Sequence, residues 1–158
     1  MLSEPVTKLL VAQVAHELGA HQAYMGMALY FERESLKGWS KFFHDQAVEE
    51  AGHAAKITSF LIDNGVEFSL PPVGGSPTTY PSARAAVEAA LASEERVTGQ
   101  FNALADAARQ AGDHRSFSFL NWFIDEQVEE ERTMHALLDL IDSGLNLYQA
   151  QAHLDEIG

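Results

Sequence analysis

The chain has 158 residues, 46% of them hydrophobic, which predicts one globular domain spanning residues 1–158 with a substantial core. Its formal net charge of −13 argues against nucleic acid or an anionic membrane as a partner and suits a protein that attracts cations. No cysteine is available for disulfides or thiolate metal sites, and no apolar run reaches the roughly 18 residues of a membrane span. Because Met1–Lys8 also lacks the order of a signal peptide, we expect a cytoplasmic protein.

Two long helical patterns occupy the first part of the chain. The first runs from about Pro5 to Glu34, and the second begins near Trp39. The second ends at Asn64-Gly65, because glycine readily adopts the left-handed conformation found at helix C-termini. The short break between the two patterns predicts an antiparallel helix pair.

A proline-rich segment separates this pair from a second one. It spans about residues 66–81 and holds four of the five prolines in the chain, so it is not helical. A third helix is predicted to start after Ser82, a suitable N-cap, and to run to Ala111-Gly112. A fourth ends at Ser143-Gly144, and a short fifth follows. The pattern predicts an all-α four-helix bundle with a long crossover between helices 2 and 3, as in ferritin-like folds.

Each of the four long helices carries a glutamate within an otherwise apolar stripe. At steps of three and four residues, the stripes place these glutamates on buried faces, together with a histidine three residues after the second of them: Glu17, Glu50, His53, Glu94 and Glu130. Burying unpaired carboxylates costs several kcal/mol each, and no lysine or arginine lies on any of the four stripes. Two divalent cations would neutralise four carboxylates, so the pattern predicts a dinuclear metal site in preference to a protonated cluster.

The motifs that contain these residues resemble those of bacterial non-haem ferritins over essentially the whole chain. They are Glu17 followed seven residues later by Tyr24, the run Glu49-Glu50-Ala-Gly-His53, Glu94 within Ser-Glu-Glu-Arg, and the run from Phe119 to Glu131. The resemblance implies a ferroxidase that oxidises Fe(II) with O2 or H2O2. It also implies storage of the ferric product inside a shell of 24 identical subunits.

The resemblance further implies a role for each site residue. Glu17 and His53 bind one iron, Glu94 and Glu130 bind the second, and Glu50 bridges the two. Gln127 is a weak or outer ligand of the second iron. Tyr24 lies near the first iron, where it donates a hydrogen bond to a ligand or supplies an electron. A third iron site is implied for Glu49, Glu126 and Glu129 together with Glu130.

Two other members of the superfamily and one class of enzyme are alternatives. A haem bacterioferritin normally has a second Glu-x-x-His motif, where this chain has Gln127-Val-Glu-Glu130, and a haem-binding methionine, where this chain has Ala51. Haem is therefore not expected. A DNA-protecting miniferritin has ligands between subunits and a basic tail, which is missing here. A di-iron oxidase or peroxidase without mineral storage remains the alternative from a different functional class.

Overall fold

A computed structural model describes the whole chain, residues 1–158, and contains α-helices and no strand. The long helices are α1 (Glu4–Arg33), α2 (Lys37–Asp63), α3 (Ala83–Gln110) and α4 (His114–Asp142). The short α5 (Leu147–Ala150) follows and continues into a 3₁₀ helix, Gln151–Glu156. The predicted all-α architecture, with a long connection between α2 and α3 and a short fifth helix, is confirmed.

Local side-chain chemistry accounts for several helix boundaries. The Ser82 hydroxyl accepts a hydrogen bond from the Ala85 backbone N–H at 3.0 Å, which caps α3. At α4, the Asp113 carboxylate accepts one from the Ser116 N–H, also at 3.0 Å. Gly65 follows α2 with a φ of 73°, a left-handed conformation that glycine adopts with little strain because it has no Cβ atom. These caps satisfy backbone groups that would otherwise lack partners at the helix ends.

The connection between α2 and α3, residues 64–82, packs closely against α1. A Cβ atom on Gly26 would overlap the carbonyl oxygen of Pro77, so the close approach of the crossover requires glycine at this position of α1. Nearby, the rings of Tyr30 and Tyr80 meet edge to face, with centroids 5.6 Å apart. The crossover is thereby fixed to the outside of the helix on which Glu17 and Tyr24 lie.

Two apolar clusters fill the bundle, and a polar layer lies between them. In the first cluster the Phe31 ring stacks on the rings of Trp39 and Phe43, with centroids 5.4 Å and 5.3 Å away. In the second, Phe101 stacks on Phe123 at 4.7 Å. Each long helix contributes to both clusters, and buried polar residues separate its two contributions. The four helices therefore bring their polar residues to one level of the bundle.

The C-terminal segment is anchored to the start of α2. The indole N–H of Trp39 donates a hydrogen bond to the Leu147 carbonyl oxygen at 2.9 Å. The Gly38 backbone N–H donates to Gln151 Oε1 at 2.6 Å. α5 and the 3₁₀ helix thus close one end of the bundle, away from the polar layer. None of the helices combines the length and hydropathy that a membrane span requires.

Candidate metal centre

The polar layer contains the five residues that the sequence predicts as metal ligands. Glu17, Glu50, Glu94 and Glu130 are each no more than 3% exposed, and His53 is 6% exposed. They come from the four long helices, each of which turns its predicted ligand residues inward because they lie on the apolar stripe of that helix. Buried carboxylates of this kind need hydrogen bonds, protons or metal ions to offset the loss of water.

The ligand atoms fall into two groups that share Glu50. Glu17, Glu50 and His53 have ligand atoms within 4.8 Å of one another, and so do Glu50, Glu94 and Glu130. Within the first group, His53 Nδ1 lies 3.1 Å from Glu50 Oε2 and 3.7 Å from Glu17 Oε2. Glu50 therefore lies where a bridging carboxylate would contact two metal ions.

Burial and mutual repulsion favour the protonated forms of two of the carboxyl groups in the metal-free protein. Burial, together with the nearby charges of Glu94 and Glu49, raises the pKa of Glu130 to about 8. Burial and the neighbouring Glu17 and Glu94 raise the pKa of Glu50 well above its ordinary value. Metal ions that bind here therefore displace protons.

Glu17 and His53 form the charged part of the layer. Burial raises the pKa of Glu17, but interactions with His53, Glu50 and Gln13 outweigh burial, and the net pKa is lowered. Burial lowers the pKa of His53, but the adjacent Glu17 carboxylate more than offsets it, so the pKa of the imidazole is raised. The raised pKa of His53 and the lowered pKa of Glu17 both favour the charged forms of this pair.

Glu94 is held by hydrogen bonds from two other helices. The Tyr24 hydroxyl donates to Glu94 Oε1, and the Gln127 amide donates to Glu94 Oε2 at 3.1 Å. The same amide nitrogen lies 3.2 Å from the Glu94 carbonyl oxygen and 3.3 Å from Thr98 Oγ1. Burial raises the pKa of Glu94 despite the opposing effect of Tyr24 and Gln127. In this metal-free arrangement Gln127 acts as a donor to Glu94.

The residues of the implied third site are brought together only in part. Glu126 is half-buried, and its carboxylate forms a further group with His53 and Glu130, again with ligand atoms within 4.8 Å of one another. Glu49 lies at the surface, where partial loss of water, together with the nearby charge of Glu126, raises its pKa. Glu129 is exposed and pairs with Arg132 on its own helix.

The donor set suits hard or borderline metal ions. It consists of carboxylate oxygens and one imidazole, without a sulfur ligand, a combination that favours iron and also accepts Zn(II). Glu17 Oε2 is buried and accepts no hydrogen bond, which is the condition expected of a ligand atom that a cation would satisfy. The residues present therefore fit a dinuclear metal centre.

Comparison with known proteins supports the same conclusion for the whole chain. A family model described as a ferritin-like domain matches residues 7–143. The chain belongs to the ferritin family. It is 40% identical to a bacterial non-heme ferritin of Staphylococcus aureus (strain USA300) over 131 residues, which are 83% of this chain and 79% of the relative. A bacterial non-heme ferritin of Staphylococcus haemolyticus (strain JCSC1435) is 37% identical over 142 residues, covering 90% of this chain and 86% of the relative.

A solved ferritin structure has the same fold. The open pore ferritin of the hyperthermophilic archaeon Archaeoglobus fulgidus matches with a TM-score of 0.92 and 31% identity, covering 99% of this chain and 96% of that one. The predicted resemblance to bacterial non-haem ferritins and the predicted ferritin-like bundle are both confirmed. The polar layer described above is therefore the interior of a ferritin bundle.

Three residues next to the centre were not predicted from the sequence as part of it. Gln13 lies one helical turn before Glu17 and is buried, a spacing that could have identified it. Thr98 lies one turn after Glu94 and bonds to Gln127, and it could have been identified in the same way. Lys56, whose ammonium lies 3.7 Å from the centroid of the Trp122 ring, follows His53 by three residues, so the same spacing could have identified it.

Proposed function

We propose that this ferritin oxidises Fe(II) at a dinuclear centre within each subunit and stores the ferric product as a mineral inside a shell of 24 copies. The proposed ligands are Glu17, Glu50, His53, Glu94 and Glu130. The observation that supports this most directly is the pair of buried ligand groups that share Glu50. Relatives named as non-heme ferritins support iron as the metal, and we propose a cytoplasmic location and no haem.

In this proposal iron is a substrate, and each reaction removes one electron from each of two Fe(II) ions. When O2 is the oxidant, it accepts two electrons and two protons and becomes hydrogen peroxide. When hydrogen peroxide is the oxidant, it accepts two electrons and two protons and becomes two water molecules. Carboxylate ligands favour Fe(III) over Fe(II), because an anionic oxygen ligand stabilises the higher charge more strongly. A site with four carboxylates and one imidazole therefore promotes the loss of electrons.

The protein contributes ligand orientation and control of protons. Tyr24 and Gln127 fix both oxygens of Glu94 from opposite helices, so this ligand is positioned before metal arrives. Burial and the neighbouring carboxylates raise the pKa values of Glu50 and Glu130, so metal binding, which requires their ionised forms, competes with protons at both residues. Tyr24 is buried, with its pKa raised well above the ordinary value by burial and by Glu94, so it stays a phenol.

A third iron site is proposed at the rim of the centre. The carboxylate of Glu126 extends the ligand layer from His53 and Glu130 towards Glu49 at the surface. Glu129 could join this site only if it left its ion pair with Arg132, so we propose that Glu129 contributes after a side-chain rotation. A third ion in this position would connect the buried pair with the surface of the bundle.

Aerobic addition of Fe(II) to the metal-free protein tests the proposal. Ferric absorbance is expected to show a fast phase that saturates near two irons per chain, followed by continued uptake into soluble particles. Glu50→Ala and His53→Ala should lose the fast phase and still assemble, because each removes a ligand without altering the apolar clusters. Glu95→Ala, beside the ligand on α3 but exposed, is the matched control and should behave as wild type.

Two results would contradict the proposal in different ways. A wild-type fast phase in Glu50→Ala or His53→Ala would show that the dinuclear centre is elsewhere. Saturation at two irons without later mineral would instead indicate a di-iron oxidase or peroxidase that acts on another substrate.

A further inference from the structure

Gln13 is a buried amide that contacts one of the proposed ligands. Its side chain lies on the inward face of α1, one turn before Glu17, and is 1% exposed. The amide nitrogen donates to Glu17 Oε1 at 3.1 Å and to Gln100 Oε1, on α3, at 3.2 Å. Its oxygen lies 3.2 Å from His16 Nδ1. Every hydrogen-bonding atom of this buried amide therefore has a partner.

The chemistry of these partners fixes the orientation of the amide. An ionised carboxylate oxygen and an amide oxygen both only accept hydrogen bonds, so the NH2 group of Gln13 must face Glu17 Oε1 and Gln100 Oε1. The opposite end faces a ring nitrogen of His16, which donates in the tautomer with a proton on Nδ1. A flipped amide would place its oxygen against a carboxylate oxygen and lose both donor contacts.

The two oxygens of Glu17 consequently have different surroundings. Oε1 accepts the hydrogen bond from Gln13, whereas Oε2 is buried and accepts none. Oε2 is also the oxygen that lies 3.7 Å from His53 Nδ1, the other ligand in the same group. A cation between Glu17 and His53 would therefore meet Oε2 without a competing hydrogen bond, whereas Oε1 is held towards Gln13.

We propose that Gln13 is a positioning residue that makes Glu17 a one-oxygen ligand, bound to metal through Oε2 alone. This inference rests on the dinuclear centre proposed above and concerns how one ligand binds within it. A carboxylate bound through one oxygen uses one coordination position instead of two, which leaves a position on that metal ion for the oxidant. Gln100 and His16 orient the amide and act on Glu17 only through Gln13.

Cobalt(II) binding to the metal-free protein tests the role of Gln13, because the visible absorption of Co(II) depends on its ligands and their number. In Gln13→Met the hydrogen-bond donor is lost while the length and bulk of the side chain are kept. We expect the first Co(II) to bind about 10- to 100-fold more weakly and with an altered visible spectrum. Gln110→Met makes the same substitution at an exposed position of α3 and should keep the wild-type spectrum and affinity, which makes it the matched control.

The Co(II) experiment distinguishes an error in the role of Gln13 from an error in the proposed dinuclear centre. If wild type and Gln13→Met bind Co(II) with the same spectrum and affinity, the positioning role is wrong and the centre stands. If wild type binds no Co(II), the dinuclear centre is wrong. A crystal structure of the Zn(II)-loaded wild type is a second test that needs no variant. Glu17 bound through Oε2 with Oε1 still on Gln13 supports the inference, and Glu17 bound through both oxygens overturns it.

Discussion

Replacement of Glu130 by glutamine should stabilise the metal-free protein at neutral pH. Glu130 is buried, and burial with the charges of Glu94 and Glu49 raises its pKa to about 8. A glutamine has nearly the shape of the protonated acid, so Glu130→Gln keeps the packing and leaves nothing to ionise. The variant therefore measures how much burial of this carboxyl group in an acidic layer lowers the free energy of unfolding.

The magnitude follows from the difference between the folded and unfolded chains. At pH 7 an unfolded glutamate with an ordinary pKa of 4.5 has lost its proton, whereas folded Glu130 keeps it. Holding that proton over the interval from pH 4.5 to pH 7 lowers the free energy of unfolding by roughly 3 kcal/mol, at about 1.4 kcal/mol per pH unit. For a chain of this length, the variant should melt about 6–12 °C higher.

The sign of the effect predicts its pH dependence. Because the folded pKa lies above the unfolded one, this carboxyl group makes wild type less stable as the pH rises from 4.5 to about 8. Near pH 4 the two proteins should therefore melt at the same temperature, and the difference should grow up to pH 8. Calorimetric melting in the presence of a chelator measures this, with the exposed Glu95→Gln as a control expected to change stability by about 0.5 kcal/mol or less.

Saturating Zn(II) should reverse the order of the two melting temperatures, so that wild type melts above Glu130→Gln. A metal ion at 1,000 times its dissociation constant stabilises the protein that binds it by about 4.1 kcal/mol, which exceeds the roughly 3 kcal/mol advantage of Glu130→Gln, and that variant lacks one of the proposed ligands. Wild type should thus gain more from Zn(II) than the variant does. If Glu130→Gln melts no higher than wild type at pH 7 without metal, or if its advantage is the same at pH 4, burial and the neighbouring carboxylates do not raise the pKa of Glu130 as inferred.

Three further predictions concern residues around the centre. Glu126→Gln should leave the first two irons per chain unaffected and slow later turnover, because Glu126 joins His53 and Glu130 only at the proposed third site; an unchanged multi-turnover course would argue against that site. Co(II) should change the fluorescence of Trp122, whose ring centroid lies 5.5 Å from that of His53, and a full response in Trp122→Phe would refute the contact. Asp113→Ala should cost about 1 kcal/mol at pH 7 in denaturant unfolding, because the cap of α4 is lost. Hydrogen bonds from the Ser116 and Ser3 backbone outweigh burial and lower the pKa of Asp113, so this difference should shrink as the pH falls below about 3.8, and a constant difference would contradict the role of the charge.

The amino-acid sequence by itself determined the helices, their order and the buried ligand layer. Glu17, Glu50, Glu94 and Glu130 could be predicted to lie inside because the period of the α-helix assigns each residue to a face, and their apolar neighbours show which face is buried. The crossover could be predicted as well, because proline excludes helix over that segment. These conclusions depend only on the residue types and on their spacing along the chain, both of which can be read without a structure.

Only the tertiary structure decided how side chains from different helices pair. The bond from Tyr24 to Glu94 and the contact of Gln13 with Gln100 join α1 to α3, and they depend on the rotation and height of each helix in the bundle. Helical spacing alone places Glu126 and Glu129 beside the ligands of α4 to a similar degree. In the structure Glu126 meets His53 of α2, whereas Glu129 pairs with an arginine at the surface. The physical reason is that helical periodicity defines a face only to within one residue, and the neighbouring helix determines which side chains at the edge of that face are turned inward.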